Sequence, residues 1–139
     1  MIVQVEIKLP PKPRGFNLIS SEIMSAIAGK INGCSGILNL FIRHTSASLA
    51  ISENADPTVR KDLETYFNRA VSEDESLYLH TDEGPDDMTS HIKNVIIGSS
   101  LIIPLTNGRL NLGTWQGIYL CEHRNSPHSR TLIATIIGE

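Results

Sequence analysis

Apolar and polar residues alternate from the start of the chain, with Val3, Val5, Ile7 and Leu9 interleaved with Gln4, Glu6 and Lys8. A period of two puts the first set on one face of a strand and leaves the second in water. Pro10, Pro11 and Pro13 then break the strand, since proline has no N–H to give a ladder. The period lengthens at Ile19, Ile23, Ala26 and Ile27, which follow candidate caps at Asn17 and Ser20, and Gly33 supplies a stop. Gly36 to Arg43 is β-rich and apolar on both faces, the pattern of a central strand. Ala47 to Ser52 alternates again, with Leu49 and Ile51 on one side and Ser48, Ala50 and Ser52 on the other.

Asp56-Pro57 pairs an N-cap with proline at the first helical position. Val59, Leu63, Tyr66, Phe67 and Ala70 continue it as an amphipathic helix to about Val71. A third helix is predicted from Met88 to Gly98, with Met88, Ile92, Val95 and Ile96 on its buried face. Leu101 to Leu105 and Arg109 to Leu112 flank the hairpin dipeptide Asn107-Gly108. The last strands are Gln116 to Glu122 and Thr131 to Ile137, joined by the polar loop His123 to Arg130. About seven strands and three helices, without a βα repeat, predict an α+β fold with mostly antiparallel sheet. That order excludes a TIM barrel and a doubly wound nucleotide fold. No G-x-G-x-x-G, Walker A or G-x-S-x-G motif is present.

Composition narrows the partners. A chain of 139 residues, 40 % apolar and 19 % charged, is expected to be one domain with a real core. A net charge of −3 with no run of Lys and Arg argues against a nucleic-acid partner. No apolar segment approaches the ~20 residues of a membrane span, and the first residues lack a signal-peptide core. Cys34 and Cys121 form no C-x-x-C pair; two isolated thiols suggest a reducing compartment, with one disulfide as the alternative. The expectation is a cytoplasmic protein with no membrane partner.

The chemistry is concentrated between His44 and His91. His44 closes a predicted strand, His80 opens the acidic loop Thr81 to Asp87, and His91 follows on the third helix. Three imidazoles on separate elements can converge on one divalent metal; each can instead serve as an acid or base, or bond a neighbouring carbonyl. Asp82 and Asp86 in the loop are weaker candidate ligands of the oxygen type that suits Mg²⁺, and Asp87 reads as the cap of the next helix. Thr45, Ser46 and Asn54 offer hydroxyl and amide donors, and Arg43, Lys93 and Arg109 are the cations best placed to meet phosphate. Gly113-Thr-Trp-Gln116 is a further polar island holding the single tryptophan. Glu122, beside an apolar run, is either a rim residue or a buried carboxylate with a partner.

Taken together these stretches resemble the YjbQ family. The matching segments are His44-Thr-Ser-Ala-Ser-Leu49, Glu53-Asn-Ala-Asp-Pro57, His80-Thr-Asp-Glu-Gly-Pro-Asp-Asp87, His91-Ile-Lys93, Asn107-Gly-Arg-Leu110, Gly113-Thr-Trp-Gln-Gly-Ile118 and Cys121-Glu-His123, spread over essentially the whole chain. The resemblance implies an α+β sandwich of two sheets spanning residues 1–139 and assembly as a homotrimer. It also implies a thiamine-phosphate synthase activity, secondary to another cellular role. In that reaction a thiazole phosphate attacks a pyrimidine methyl pyrophosphate and pyrophosphate leaves. Under this reading His44, His80 and His91 hold a divalent metal (Zn or Mg) or act as acid and base, and Glu122 orients an imidazole or holds the pyrimidine amine. Arg43, Lys93 and Arg109 meet the phosphates, and Thr45, Ser46, Asn54, Trp115 and Gln116 contact the small phosphorylated substrate. The competing functions are a metal-dependent hydrolase of a small substrate and a non-catalytic trimeric metabolite-binding protein.

Overall fold

The opening alternation folds as the edge strand of a five-stranded sheet, its Ile7 and Leu9 turned inward. In a computed structural model describing residues 1–139, the order is β1 (Ile2–Leu9), β2 (Gly15–Leu18), α1 (Ser20–Ile27), β3 (Gly36–Ile42), β4 (Ala47–Glu53) and α2 (Pro57–Ala70). It continues with α3 (Pro85–Ile97), β5 (Ser100–Thr106), β6 (Arg109–Leu110), β7 (Gln116–Glu122) and β8 (Arg130–Gly138). One sheet has the order β1-β8-β3-β5-β6 and the other β2-β7-β4, with every pairing antiparallel. The two-sheet α+β architecture is therefore as the sequence pattern and the resemblance imply.

Period-two side chains from both sheets meet in one core. Leu38, Leu40 and Ile42 of β3 and Leu132, Ala134 and Ile136 of β8 face Leu49 of β4 and Ile118 and Leu120 of β7. Helix α1 adds Ile23 and Ile27 to the same cluster, which is why its four-residue spacing reads so clearly. Each fully buried Leu or Ile contributes about 1.5–3 kcal/mol. Helices α2 and α3 lie on the far side of the small sheet, α2 against β2 and α3 against β4.

Four expectations need correction. Gly15–Leu18 forms a strand that pairs with β7, so Asn17 is no helix cap; four residues are too few to show a period. Ser20 does not cap α1 with its side chain either, and its hydroxyl accepts from the Ile118 N–H at 2.9 Å. β3 is central as expected, but only one of its faces is covered. Phe41 is 45 % exposed, and Ile2, Ile37, Ile102 and Ile137 are also bare along the outer face of the large sheet. The largest reversal is α3, which starts at Pro85 and buries Asp86, Asp87, Thr89, Ser90 and Lys93 while Val95 and Ile96 face outward. Its inward face is polar because it meets charged partners rather than the core. Cys34 and Cys121 are both buried and free, so the disulfide alternative falls. No helix is long and apolar enough to cross a membrane.

Gly36 pairs with Gly138 where β3 meets β8, and a Cβ there would collide with the Ile137 carbonyl oxygen and the Gly138 Cα. Both are backbone atoms of the central ladder and cannot swing aside. Gly36→Ala is expected to lower unfolding free energy by about 2 kcal/mol in a urea titration.

Candidate metal centre

All five histidines of the chain gather where β3 and β7 end and β4 and β8 begin. The arrangement follows from a turn. Gly84, at φ 99°, swings the chain so that Pro85 opens α3, and Asp86 and Asp87 occupy its first turn, where the helix dipole favours negative charge. Asp87 and His91 are four residues apart and share one helix face. The segment before the turn brings in His80, whose Nε2 lies 2.7 Å from Asp87 Oδ2; His91 Nε2 lies 3.2 Å from the same oxygen. The three candidate ligand atoms all fall within 4.8 Å of one another. Ligands bound at ~2.1 Å to one metal stand roughly 3–3.5 Å apart, so the trio fits an ion with small adjustments.

The surroundings fix what each ligand offers. His91 Nδ1 donates to the Thr45 carbonyl at 2.8 Å, so in the neutral ring Nε2 carries the lone pair. Arg124 donates from Nη1 to Asp87 Oδ1 at 2.7 Å and from Nε to Asp86 Oδ2 at 3.0 Å. The Asn125 N–H reaches Asp86 Oδ2 at 2.8 Å. Burial alone would push both carboxyls up. Hydrogen bonds from the Asn125 amide and Arg124 outweigh it at Asp86; at Asp87 hydrogen bonding with Glu83 and His80 does so, ahead of the His91 and Arg124 charges, and both carboxyls sit below the usual range. Asp87 is almost wholly buried, whereas the His80 side chain is 51 % exposed, so the trio opens to solvent on the imidazole side.

His44 does not join. Its Nε2 accepts the Thr131 N–H at 2.8 Å, tying the end of β3 to β8. Burial, then Arg130, Arg43 and His128, lower its pKa. Glu122 is fully buried and paired with Arg130, with Nη2 at 2.6 Å and Nε at 3.0 Å from Oε2. Burial pushes its carboxyl up while Arg130 pulls it down, and the imidazole nearest to it is His128, with Nδ1 at 3.9 Å from Oε1. Glu122 therefore touches none of the three expected histidines. Asp82 stays exposed in the turn, and Asp86 is turned to Arg124 and Asn125 rather than to the histidines.

The other sequence candidates scatter. Thr45 contributes its carbonyl, and Ser46 offers its own to Arg130 at 3.4 Å. Arg43 continues the alternation that turns Ile37, Asn39 and Phe41 outward. Lys93, on the other side of α3 from His91, is 1 % exposed and donates to Asn68 Oδ1 at 2.7 Å. Burial, then Arg14, lowers its pKa. Arg109 is exposed on the far edge of the large sheet. Asn54, Trp115 and Gln116 cluster at the opposite end of β4, where Asn54 Nδ2 donates to the Thr114 and Gln116 carbonyls. Six residue steps along the strand put them about 20 Å from the metal end. Sequence reasoning missed Asp87 as a candidate ligand, Arg124 as its partner and Arg130 as the partner of Glu122. The Asp87-x-x-x-His91 spacing was the available signal, since it stacks a carboxylate and an imidazole on one helix face.

Comparison with known proteins gives one consistent result. A family model described as UPF0047 protein YjbQ-like matches residues 5–139. UPF0047 protein YjbQ of Salmonella typhimurium is 50 % identical over 139 residues, covering all of both chains. The corresponding protein of Escherichia coli O157:H7 is 48 % identical over the same span. Among solved structures, a YjbQ/UPF0047 protein of Clostridium acetobutylicum superposes with a TM-score of 0.82 at 31 % identity, covering 95 % of this chain and 99 % of that one.

His123, the residue after Glu122, is buried with Nε2 2.9 Å from Ser48 Oγ, and burial, then the Lys93 charge, lowers its pKa from 6.5 to about 3. The unfolded chain takes up that proton near 6.5 and the folded one near 3, so the unfolded state binds more protons in between. Stability is then fully present above pH 6.5 and falls on acidification through this window, by up to about 1.4 kcal/mol per pH unit. His123→Gln is expected to flatten that slope in urea titrations run at successive pH values, even if it costs stability at pH 7.

Proposed function

The chain belongs to the YjbQ-like UPF0047 family, and we propose that it is an enzyme acting on a small phosphorylated substrate through one divalent metal ion held by His80, Asp87 and His91. The observation that carries this reading is the convergence of two Nε2 atoms on one Asp87 oxygen, with Asp87 Oδ1 and His91 Nδ1 already engaged elsewhere. Two imidazoles and one carboxylate suit zinc better than magnesium, which prefers a fuller oxygen shell. When bound, such an ion supplies Lewis acidity that polarises a phosphoryl oxygen and acidifies a water.

The chain's own residues do the rest. Thr45 and Arg124 hold two ligands in place, which lowers the cost of assembling the centre. Arg124 and Arg130 already balance most of the charge of Asp86, Asp87 and Glu122. A divalent ion would leave the site positive and attractive to phosphate. Hydrolysis is the reaction an open site supports best, because water reaches the half-exposed His80 freely.

A second reading, thiamine-phosphate synthesis, is favoured by the apolar surface beside the site. Loss of pyrophosphate leaves a cationic carbon that water would capture, so that reaction needs a covered site. Leu79 next to His80 is fully exposed, and Leu77, Val95 and Ile96 are bare as well. Such a patch suits a contact between copies, and a homotrimer that buries it would shield the centre. Synthase activity is then a secondary property of the assembled protein.

Elemental analysis of protein purified without an affinity tag should find one zinc per chain, lost in His80→Ala and Asp87→Ala. Phosphate release and thiamine-phosphate formation should both fall at least about 100-fold in these variants; wild-type turnover in both would overturn the assignment. Sedimentation should give a mass near three chains, and Leu79→Lys combined with Val95→Lys should shift it toward one. The same pair should abolish thiamine-phosphate formation while sparing hydrolysis.

A further inference from the structure

A concave site lies on the helix-covered side of the small sheet. A cleft of about 460 Å³ opens between Pro13–Asn17, which lead into and form most of β2, and Arg60, Lys61, Glu64 and Thr65 of α2. It shares no residue with the metal centre. Apart from Phe16 and Pro13 its lining is polar or glycine, so a large apolar ligand has little to pack against.

Its charges are unevenly matched. Arg14, the third cation of the lining, is shared between Glu64 at 3.3 Å and Glu73 at 2.7 Å, so it adds no free positive charge. Arg60 is held only by neutral acceptors. Its Nε donates to the Tyr119 hydroxyl at 2.9 Å and its Nη2 to the Asn54 carbonyl at 2.9 Å, while the guanidinium lies 5.6 Å from the centre of the Tyr119 ring. Lys61 makes no ion pair. Two uncompensated cations one residue apart therefore line the helix wall. Three contacts fix the Arg60 plane, and Nη1 has no protein partner. A guanidinium fixed in this way loses little entropy on meeting an oxyanion, and its fork matches phosphate.

We propose that this cleft binds a small phosphate-bearing anion, separately from the metal centre. The same chemistry would recognise free inorganic phosphate or the phosphoryl group of a small metabolite. Calorimetric titration of metal-free protein with inorganic phosphate, and separately with glycerol phosphate, distinguishes the two sources. Tighter binding of the ester means that its carbon portion also contacts the cleft. One equivalent should bind, more weakly as salt is raised. Lys61→Gln and Arg60→Lys should each weaken binding about tenfold, the scale of one lost charge-assisted hydrogen bond. Lys61 is exposed and makes no side-chain hydrogen bond, so its variant should fold normally. Asp87→Ala should leave the affinity unchanged, which separates failure of the metal reading from failure of this one. Absence of binding at millimolar anion would overturn the proposal, as would affinity that survives both cleft substitutions or disappears with Asp87→Ala.

Discussion

Three carboxylates, Asp86, Asp87 and Glu122, are nearly out of reach of water, and each depends on an arginine to stay charged there. Taking a carboxylate out of water costs several kcal/mol, so removing either Arg124 or Arg130 would leave an uncompensated charge. Much of the site hangs on this constraint. Arg124 and Arg130 stand at either end of the loop between β7 and β8, and their pairings pin it to the start of α3 and to Glu122. Thr45 and Ser46 are drawn in from the β3–β4 connection, one carbonyl accepting from His91 and the other from Arg130. The ion pairs thus set where the imidazoles can stand.

The same constraint explains how the layers divide. Between the sheets the contacts are aliphatic and dry. Between the small sheet and its helices, and between the helices themselves, polar contacts stand beside apolar ones: Arg14 pairs with Glu64, Arg60 donates to Tyr119 and Lys93 to Asn68, while Phe67 of α2 lies against Phe16 of β2. No residue of α2 is fully buried. Tyr66 on α2 and Val95 and Ile96 on α3 point outward, while Val59, Leu63 and Phe67 of α2 are half-buried. The exposed apolar side chains of α3 face away from that polar layer.

Legibility in the sequence followed the range of the interaction. β1, α1 and β8 were readable because period and turn chemistry are local, and their apolar sets face one continuous core. β2 escaped since it has four residues and exists only by pairing with β7. For α3 the period was read correctly and the face wrongly. An apolar stripe says which residues share a side, while its burial depends on what lies opposite. His44 shows the same limit: residue type and position made it a ligand candidate, but its Nε2 is taken by the Thr131 amide, 87 positions away in sequence.

The amino-acid sequence by itself determined the fold class and the family, because hydrophobic period, turn residues and long motifs are properties of consecutive positions. Only the tertiary structure decided that Asp87 rather than His44 completes the histidine pair, that Glu122 belongs to Arg130, and that Lys93 is buried away from the site. Those outcomes rest on which charged groups can be desolvated together, and desolvation is shared by residues far apart in the chain.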